Sequence, residues 1–422
     1  MKIRISHMLI TLLLTSCLFP RRWIALGIYS YVIEILFVAM LCVFRGRHIT
    51  VPSKKIHILI LGLVLLHAMC YVLHNNIKAM IYSVVAPVLL TYLLYEIIVD
   101  QEKYEFSLRA IAIVFLILSV LSMLETFTSF NLWDKISGYE VSYIAANGYR
   151  YGLARARGAF ETSINNGMFM VLGQGVLLYC ITKYKKSLLF RVSYTATLIA
   201  AILIMSRATI IACAVLTLLW MFKSGMRKLP MRIIKIALIL LVLYGLVRFL
   251  NITVIINFFE WLGNTLNALI DSRYVDYDAN IGDSEQRLLL FGWIYEATSG
   301  HRLLGLGEYG VFSKTVNNVF TKTSIENYFL WIFFRLGWVG LITIIVLLVM
   351  FMIHIIKHDR LEIRDLNKNE DKLTFPGMML CTTLVYVATN FACAGQNDTL
   401  FFCALVGIVL AYTKLRQQGV VA

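Results

Sequence analysis

An all-α polytopic membrane protein of about 12 transmembrane helices is the fold class that this sequence predicts, and three observations carry the prediction. Of 422 residues 59% are hydrophobic and only 15% charged, with five prolines and a mean hydropathy of +0.76; soluble domains hold about a quarter charged residues. Apolar runs recur at close to the roughly 20 residues that a helix needs to cross a hydrocarbon core of about 30 Å. The basic residues gather in alternate connections between these runs, as the positive-inside rule requires.

The first run, Met8 to Phe19, follows Lys2 and Arg4 and looks like a signal peptide. Pro20-Arg21-Arg22 stops it with no small-residue cleavage site, so it reads as a short first span. Further runs fall at about 24–44, 57–73, 77–99, 107–127, 164–182, 188–205, 208–222, 233–250, 326–356, 375–394 and 399–413. Basic groups at Arg45, Arg47, Lys54 and Lys55, at Lys183, Lys185 and Lys186, at Lys223, Arg227 and Lys228, and at Lys357, Arg360 and Arg364 occupy alternate loops. Both termini are therefore expected in the cytoplasm, and two longer loops, 128–163 and 251–325, on the outer side of a single membrane domain spanning 1–422. In a soluble chain the net charge of +15 would point to nucleic acid; here its distribution is that of membrane topology, which excludes nucleic acid as a partner. The eight cysteines lie in or beside apolar runs without CxxC or Cys/His clustering, and read as small core residues.

Within the larger loop, Ile255, Phe259, Leu262, Leu266 and Leu269 alternate at spacings of three and four, the pattern of an amphipathic helix lying on the bilayer or roofing the bundle. Asp283-Ser284-Glu285-Gln286 then reads as a helix cap opening a second loop helix, about 284–299, which carries Arg287 and Trp293 and ends at Gly300. The segment from Asp359 to Lys372 mixes charge signs and reads as a solvated connection.

Arginines on the outer side break the positive-inside pattern: Arg150, Arg155, Arg157, Arg207, Arg273, Arg287 and Arg302. A planar, permanently charged guanidinium suits a diphosphate at the membrane surface; the bland alternative is contact with lipid headgroups or acids. Arg207 sits in an otherwise apolar hairpin, where a cation needs a partner. Glu326, opening the span at 326, is the carboxylate best placed to be a general base toward a sugar hydroxyl; its alternative is favourable contact with a helix dipole. Arg335, nine residues on, lies about 13 Å further along the axis and on the opposite face, so it either pairs with an acid such as Glu34 or Glu96 or lines a polar cavity. Gly305-Leu306-Gly307-Glu308-Tyr309-Gly310 matches GxGxxG, but without a preceding strand it reads as a tight turn. Asp134 and Glu161 read as exposed-loop acids and His301 as a surface residue, while Trp133, Tyr139, Tyr149 and Tyr151 suit either glycan stacking or an interfacial belt.

Four pieces in this order resemble the O-antigen polymerase and O-antigen ligase superfamily of bacterial envelope enzymes, over about 150–345. They are Arg155-Ala156-Arg157-Gly158-Ala159-Phe160 with Asn165; Ser206-Arg207; Arg287 and Trp293 with Leu303-Leu304-Gly305-Leu306-Gly307; and Glu326-Asn327-Tyr328 with Leu336-Gly337 and Gly340-Leu341. The resemblance implies an inverting glycosyltransferase of the bacterial cytoplasmic membrane that needs neither metal nor cofactor. Its substrate would be an undecaprenyl-diphosphate-linked oligosaccharide, its setting the lipid bilayer, and a chain-length regulator would be a natural partner. By residue it implies that Arg155 or Arg157, Arg207 and Arg287 hold the diphosphate, that Arg207 and Arg287 assist catalysis, and that Asn327 and Trp293 contact substrate. The superfamily's ligases place His where this chain has Glu326, and many relatives carry an acid where it has Arg335; Ile164 and Arg302 stand where prolines are usual. The missing His favours a polymerase, with Glu326 as base. A ligase joining glycan to lipid A-core, and a non-enzymatic glycolipid flippase or exporter, are the rival readings.

Overall fold

The computed structural model describes residues 5–17, 22–23, 28–44, 55–137, 149–150, 153–160, 162–224, 285–307, 310–316, 320–322, 325, 327–365, 373–391 and 399–420. Its helices are α1 (Ile5–Ser16), α2 (Ser30–Phe44), α3 (Lys55–Leu73), α4 (Ile77–Met80), α5 (Ala86–Ile97), α6 (Gln101–Thr128), α7 (Leu132–Ser137), α8 (Ser163–Lys183), α9 (Leu188–Leu203), α10 (Arg207–Lys223), α11 (Glu285–Ala297), α12 (Tyr328–Asp365), α13 (Phe375–Asn390) and α14 (Thr399–Gln417). A single π turn, Ile81–Val85, joins α4 to α5 ahead of Pro87. Three two-stranded antiparallel hairpins complete the described elements: β1 (Arg22–Trp23) with β2 (Ile28–Tyr29), β3 (Tyr149–Arg150) with β4 (Leu153–Ala154), and β5 (Lys314–Val316) with β6 (Phe320–Lys322).

Among the described residues, five helical stretches are long and apolar enough to cross a membrane: Ile77–Ile97, Gln101–Thr128, Ser163–Lys183, Tyr328–Arg364 and Leu400–Gln417, accompanied by shorter apolar helices. The protein is thus a multi-pass helical membrane protein. The expected ninth span at 233–250 and the amphipathic helix around 255–269 lie outside the described residues. In the second run Ile28 and Tyr29 pair with β1 as strand β2, and helix begins only at Ser30.

Helix starts follow their capping residues. Asp100 accepts from the Lys103 amide (2.8 Å) at α6, and Thr374 from the Gly377 amide (2.9 Å) at α13, where Pro376 occupies the first turn. α8 is the central helix, almost wholly buried where α12 is largely exposed, and its buried Gln174 donates to Thr217 Oγ1 at 3.0 Å. Gly173 lets the Phe115 ring lie directly on its backbone, where a Cβ would come within 2.1 Å. Phe115, Phe169 and Phe401 then stack at 4.8 to 5.2 Å, joining α6, α8 and α14.

At the end assigned to the cytoplasm, acids expected to be solvated are buried instead. Asp359 pairs with Lys223 at 2.6 Å and accepts from the Thr374 hydroxyl; Glu362 pairs with Arg416 at 2.7 Å and accepts from Tyr412 at 2.9 Å. α12 therefore continues to Asp365, because its acids face α10, α13 and α14 and not water.

Candidate functional site

The loop after β4 carries Arg155 and Arg157, and a carboxylate buried near the end of α6 shapes it. Glu125, 2% exposed, accepts from the Arg157 amide (3.1 Å), the Gly158 amide (2.8 Å) and Asn131 Nδ2 (2.7 Å). Asn131 Nδ2 also donates to the Gly158 carbonyl (3.0 Å), while its Oδ1 accepts from the Asp134 amide (3.0 Å). Asp134 in turn takes the Arg157 guanidinium at 2.6 Å, and Arg157 is 1% exposed. Asp134 is thus a buried partner of an arginine and not an exposed loop acid. Gly158 has φ +55, and a Cβ there would meet the Asn166 amide at 3.1 to 3.2 Å, so glycine both permits the turn and admits Asn166. Sequence reasoning missed Glu125, although a lone carboxylate inside an apolar run was the signal that would have found it.

The first turn of α8 connects this loop to Arg207. Asn166 Nδ2 donates to the Ala156 carbonyl and to Ser122 Oγ, both at 3.1 Å, and one residue on, Gly167 backs onto Thr209 so closely that a Cβ would fall 2.0 Å from its Oγ1. Thr209 lies in the same first turn of α10 as Arg207. The two arginine motifs, 52 residues apart between Arg155 and Arg207, therefore flank one helix end. Among the described residues, the buried Asn165 Oδ1 and Thr209 Oγ1 find no hydrogen-bond partner.

The third group is built on a broken helix. α12 is interrupted at Gly337 (φ 64, ψ −162), where one continuous span was expected from 326 to 356. A break orphans carbonyls before it and amides after it, and in a membrane only protein can satisfy them. Residues 302–307 do so: the Leu306 and Gly307 amides donate to the Phe334 and Arg335 carbonyls (both 2.9 Å), and the Trp338 and Val339 amides donate to the Arg302 and Leu303 carbonyls (2.8 and 3.2 Å). A Cβ on Gly305 would lie 2.3 Å from the Arg335 backbone, and one on Gly337 2.4 Å from that of Leu303. The GxGxxG sequence thus exists for backbone-to-backbone contact as well as for its turn. His74, at the end of α3, fixes the same segment through Nε2 and the Leu304 carbonyl at 2.8 Å.

Several of the remaining predicted residues lie on α12 or on the segments packed against it. Arg335 lies over the Trp331 ring at 4.2 Å and Arg302 over Tyr295 at 3.8 Å. Asn327 caps α12, accepting from the Leu330 amide (3.1 Å), and donates to the Phe391 carbonyl (2.8 Å) at the end of α13. α11 forms over Glu285–Ala297, close to the expected 284–299, and Gly300 follows with φ +82. Trp293 packs half-buried against Leu290, Ile294 and Phe312, and Trp133 is buried in the main core. His301 is exposed as expected. Arg287 lies on α11, but its side chain, like those of Arg150 and Tyr149, is outside the described residues, as are Glu326, Glu161, Arg273, Tyr139 and Tyr151. Among the described residues, no group of three His, Cys, Asp or Glu side chains gathers in a way that would hold a metal ion.

Fold and site together define a multi-pass helical membrane protein with a buried arginine-bearing loop packed on α6 and α8, and a second helix broken at Gly337. No protein-family model matches the chain. Over 262 residues, 60% of its length, it is 23% identical to an O-antigen polymerase of Salmonella muenchen, and it spans 62% of that protein.

Proposed function

We propose that the protein is a polymerase of a bacterial surface polysaccharide, acting at the outer face of the cytoplasmic membrane with 12 spans and both termini inside. The observation that carries this reading is the pairing of the Arg155–Arg157 loop with the Arg207 helix start across the first turn of α8; the similarity to an O-antigen polymerase supports it independently. Within this reading the substrate is a glycan linked to undecaprenyl diphosphate. Arg157, bonded to Asp134, shapes the loop, and Arg155, Arg207 and Arg287 take the diphosphate.

The terminal sugar hydroxyl of one lipid-linked unit attacks the anomeric carbon of the growing chain. A carbon–oxygen bond forms, the bond to the diphosphate breaks, and undecaprenyl diphosphate leaves with the electron pair. Glu326 takes the hydroxyl proton, and the arginines offset the charge that develops on the leaving group. Inversion follows from a single displacement. A chain-length regulator would act on this step from outside the chain.

Alanine variants at Arg155 and Arg207, assayed with a synthetic lipid-linked repeat unit, test the assignment. Loss of a charge-stabilising group lowers turnover by about 100-fold or more. Variants that lengthen glycan at the wild-type rate would remove the arginines from the site.

A further inference from the structure

Past the Gly337 break, α12 runs unbroken from Trp338 to Asp365. At 1.5 Å per residue, Lys357 lies about 28 Å beyond Trp338, close to the thickness of a hydrocarbon core. Lys357, the first Lys, Arg, Asp or Glu after Arg335, then lies at the far edge of the apolar span. Lys357, Arg360 and Arg364 are all exposed, and at about 100° per residue they fall within about 60° of one another, with Ile353 on the same stripe. Ile353, Ile356, Lys357, Arg360, Leu361 and Arg364 together form one open face of this helix.

Among the described side chains of this helix, the acids do not neutralise that stripe. Asp359 and Glu362 face the other side and are held by Lys223 and Arg416. This face therefore offers three cations next to apolar side chains, where the apolar span gives way to charged residues. Ile353 is 60% exposed and Leu361 44%, the surface an acyl chain would cover.

We propose that this helix face is a binding site for an anionic phospholipid of the cytoplasmic leaflet, its phosphate on Lys357, Arg360 and Arg364 and an acyl chain along Ile353 and Ile356. The occupant is a lipid and not an acidic protein segment because the cations continue directly into a membrane-depth apolar stripe on one helix face. The inference rests on the membrane reading of the fold and on the proposed orientation, and is independent of the polymerase chemistry.

The test uses the full chain in neutral detergent, delipidated and offered phosphatidylglycerol and phosphatidylcholine of matched acyl chains, with retention read by native mass spectrometry. Phosphatidylglycerol is retained over phosphatidylcholine by about fivefold or more, since one cation near anionic headgroups already favours binding by about that factor. The triple variant Lys357→Gln, Arg360→Gln, Arg364→Gln loses the preference, and Arg360→Lys with Arg364→Lys keeps it. Equal retention of the two lipids by wild type, or undiminished preference in the triple variant, overturns the proposal. Should the triple variant fail to fold, a photoactivatable phosphatidylglycerol on wild-type protein decides. Labelling of the peptide holding Ile353 and Ile356 supports the site; labelling only elsewhere, or cross-linking of this face to a second polypeptide, overturns it.

Discussion

Glu125 is a carboxylate among apolar residues near the end of α6, and three N–H groups converge on it from Arg157, Gly158 and Asn131. Removing an acceptor from buried donors costs more than the hydrogen bonds alone, because the donors are left without water. Glu125→Ala is therefore expected to lower stability by about 3 kcal/mol in reversible denaturation, with Glu125→Gln closer to wild type. A loss in Glu125→Ala of under about 0.5 kcal/mol, the scale of an ordinary surface change, would show that the loop is held by other contacts. The Arg157–Asp134 pair is buried on both sides, so breaking either half leaves an uncompensated charge costing about 3–5 kcal/mol. A double-mutant cycle with Asp134→Asn and Arg157→Gln should return strong coupling; strictly additive losses would contradict the pairing. The sequence named Arg157 but placed its partner in solvent, because Asp134 is 23 residues away on a short helix that no periodicity announces.

At the scale of elements, the α12 break is where local pattern was least informative. The apolar run from 326 to 356 reads as one helix, and Gly337 within it looks like a tolerated glycine. Only the tertiary contact with 302–307 shows that the break is stabilised by four backbone hydrogen bonds from another segment. α11, by contrast, was legible almost to its ends, since capping and chain-reversal signals are local. Glycine substitutions separate the two situations. Gly305→Ala and Gly337→Ala combine positive φ with a Cβ pressed onto backbone, and are expected to lose at least about 2 kcal/mol of stability together with activity. Gly292→Ala, in mid-helix with open space around it, should be neutral or gain about 0.5–1 kcal/mol. Equal tolerance of all three by thermal unfolding would contradict the docked break. His74→Ala, which frees the Leu304 carbonyl, should cost about 1 kcal/mol.

For the whole molecule, the membrane class followed from composition and run length alone, since a hydrocarbon solvent leaves helices as one of few satisfiable solutions. The placement of helices did not, and α8 became the centre only through close approaches at Gly167, Gly173 and Gly175. Asn327 ties the start of α12 to the end of α13, and the buried ion pairs of Asp359 and Glu362 tie its other end to α10 and α14. A peripheral helix anchored at both ends fits a scaffold carrying a site at one face of the membrane. The central claim, that this scaffold joins lipid-linked glycans, is tested most directly by giving purified, reconstituted protein a synthetic undecaprenyl-diphosphate-linked repeat unit in EDTA and resolving the products by length. The account predicts a ladder of longer lipid-linked glycans that disappears with Arg207→Ala; a repeat unit that stays at its starting length, or that is carried across the membrane without growing, would contradict it.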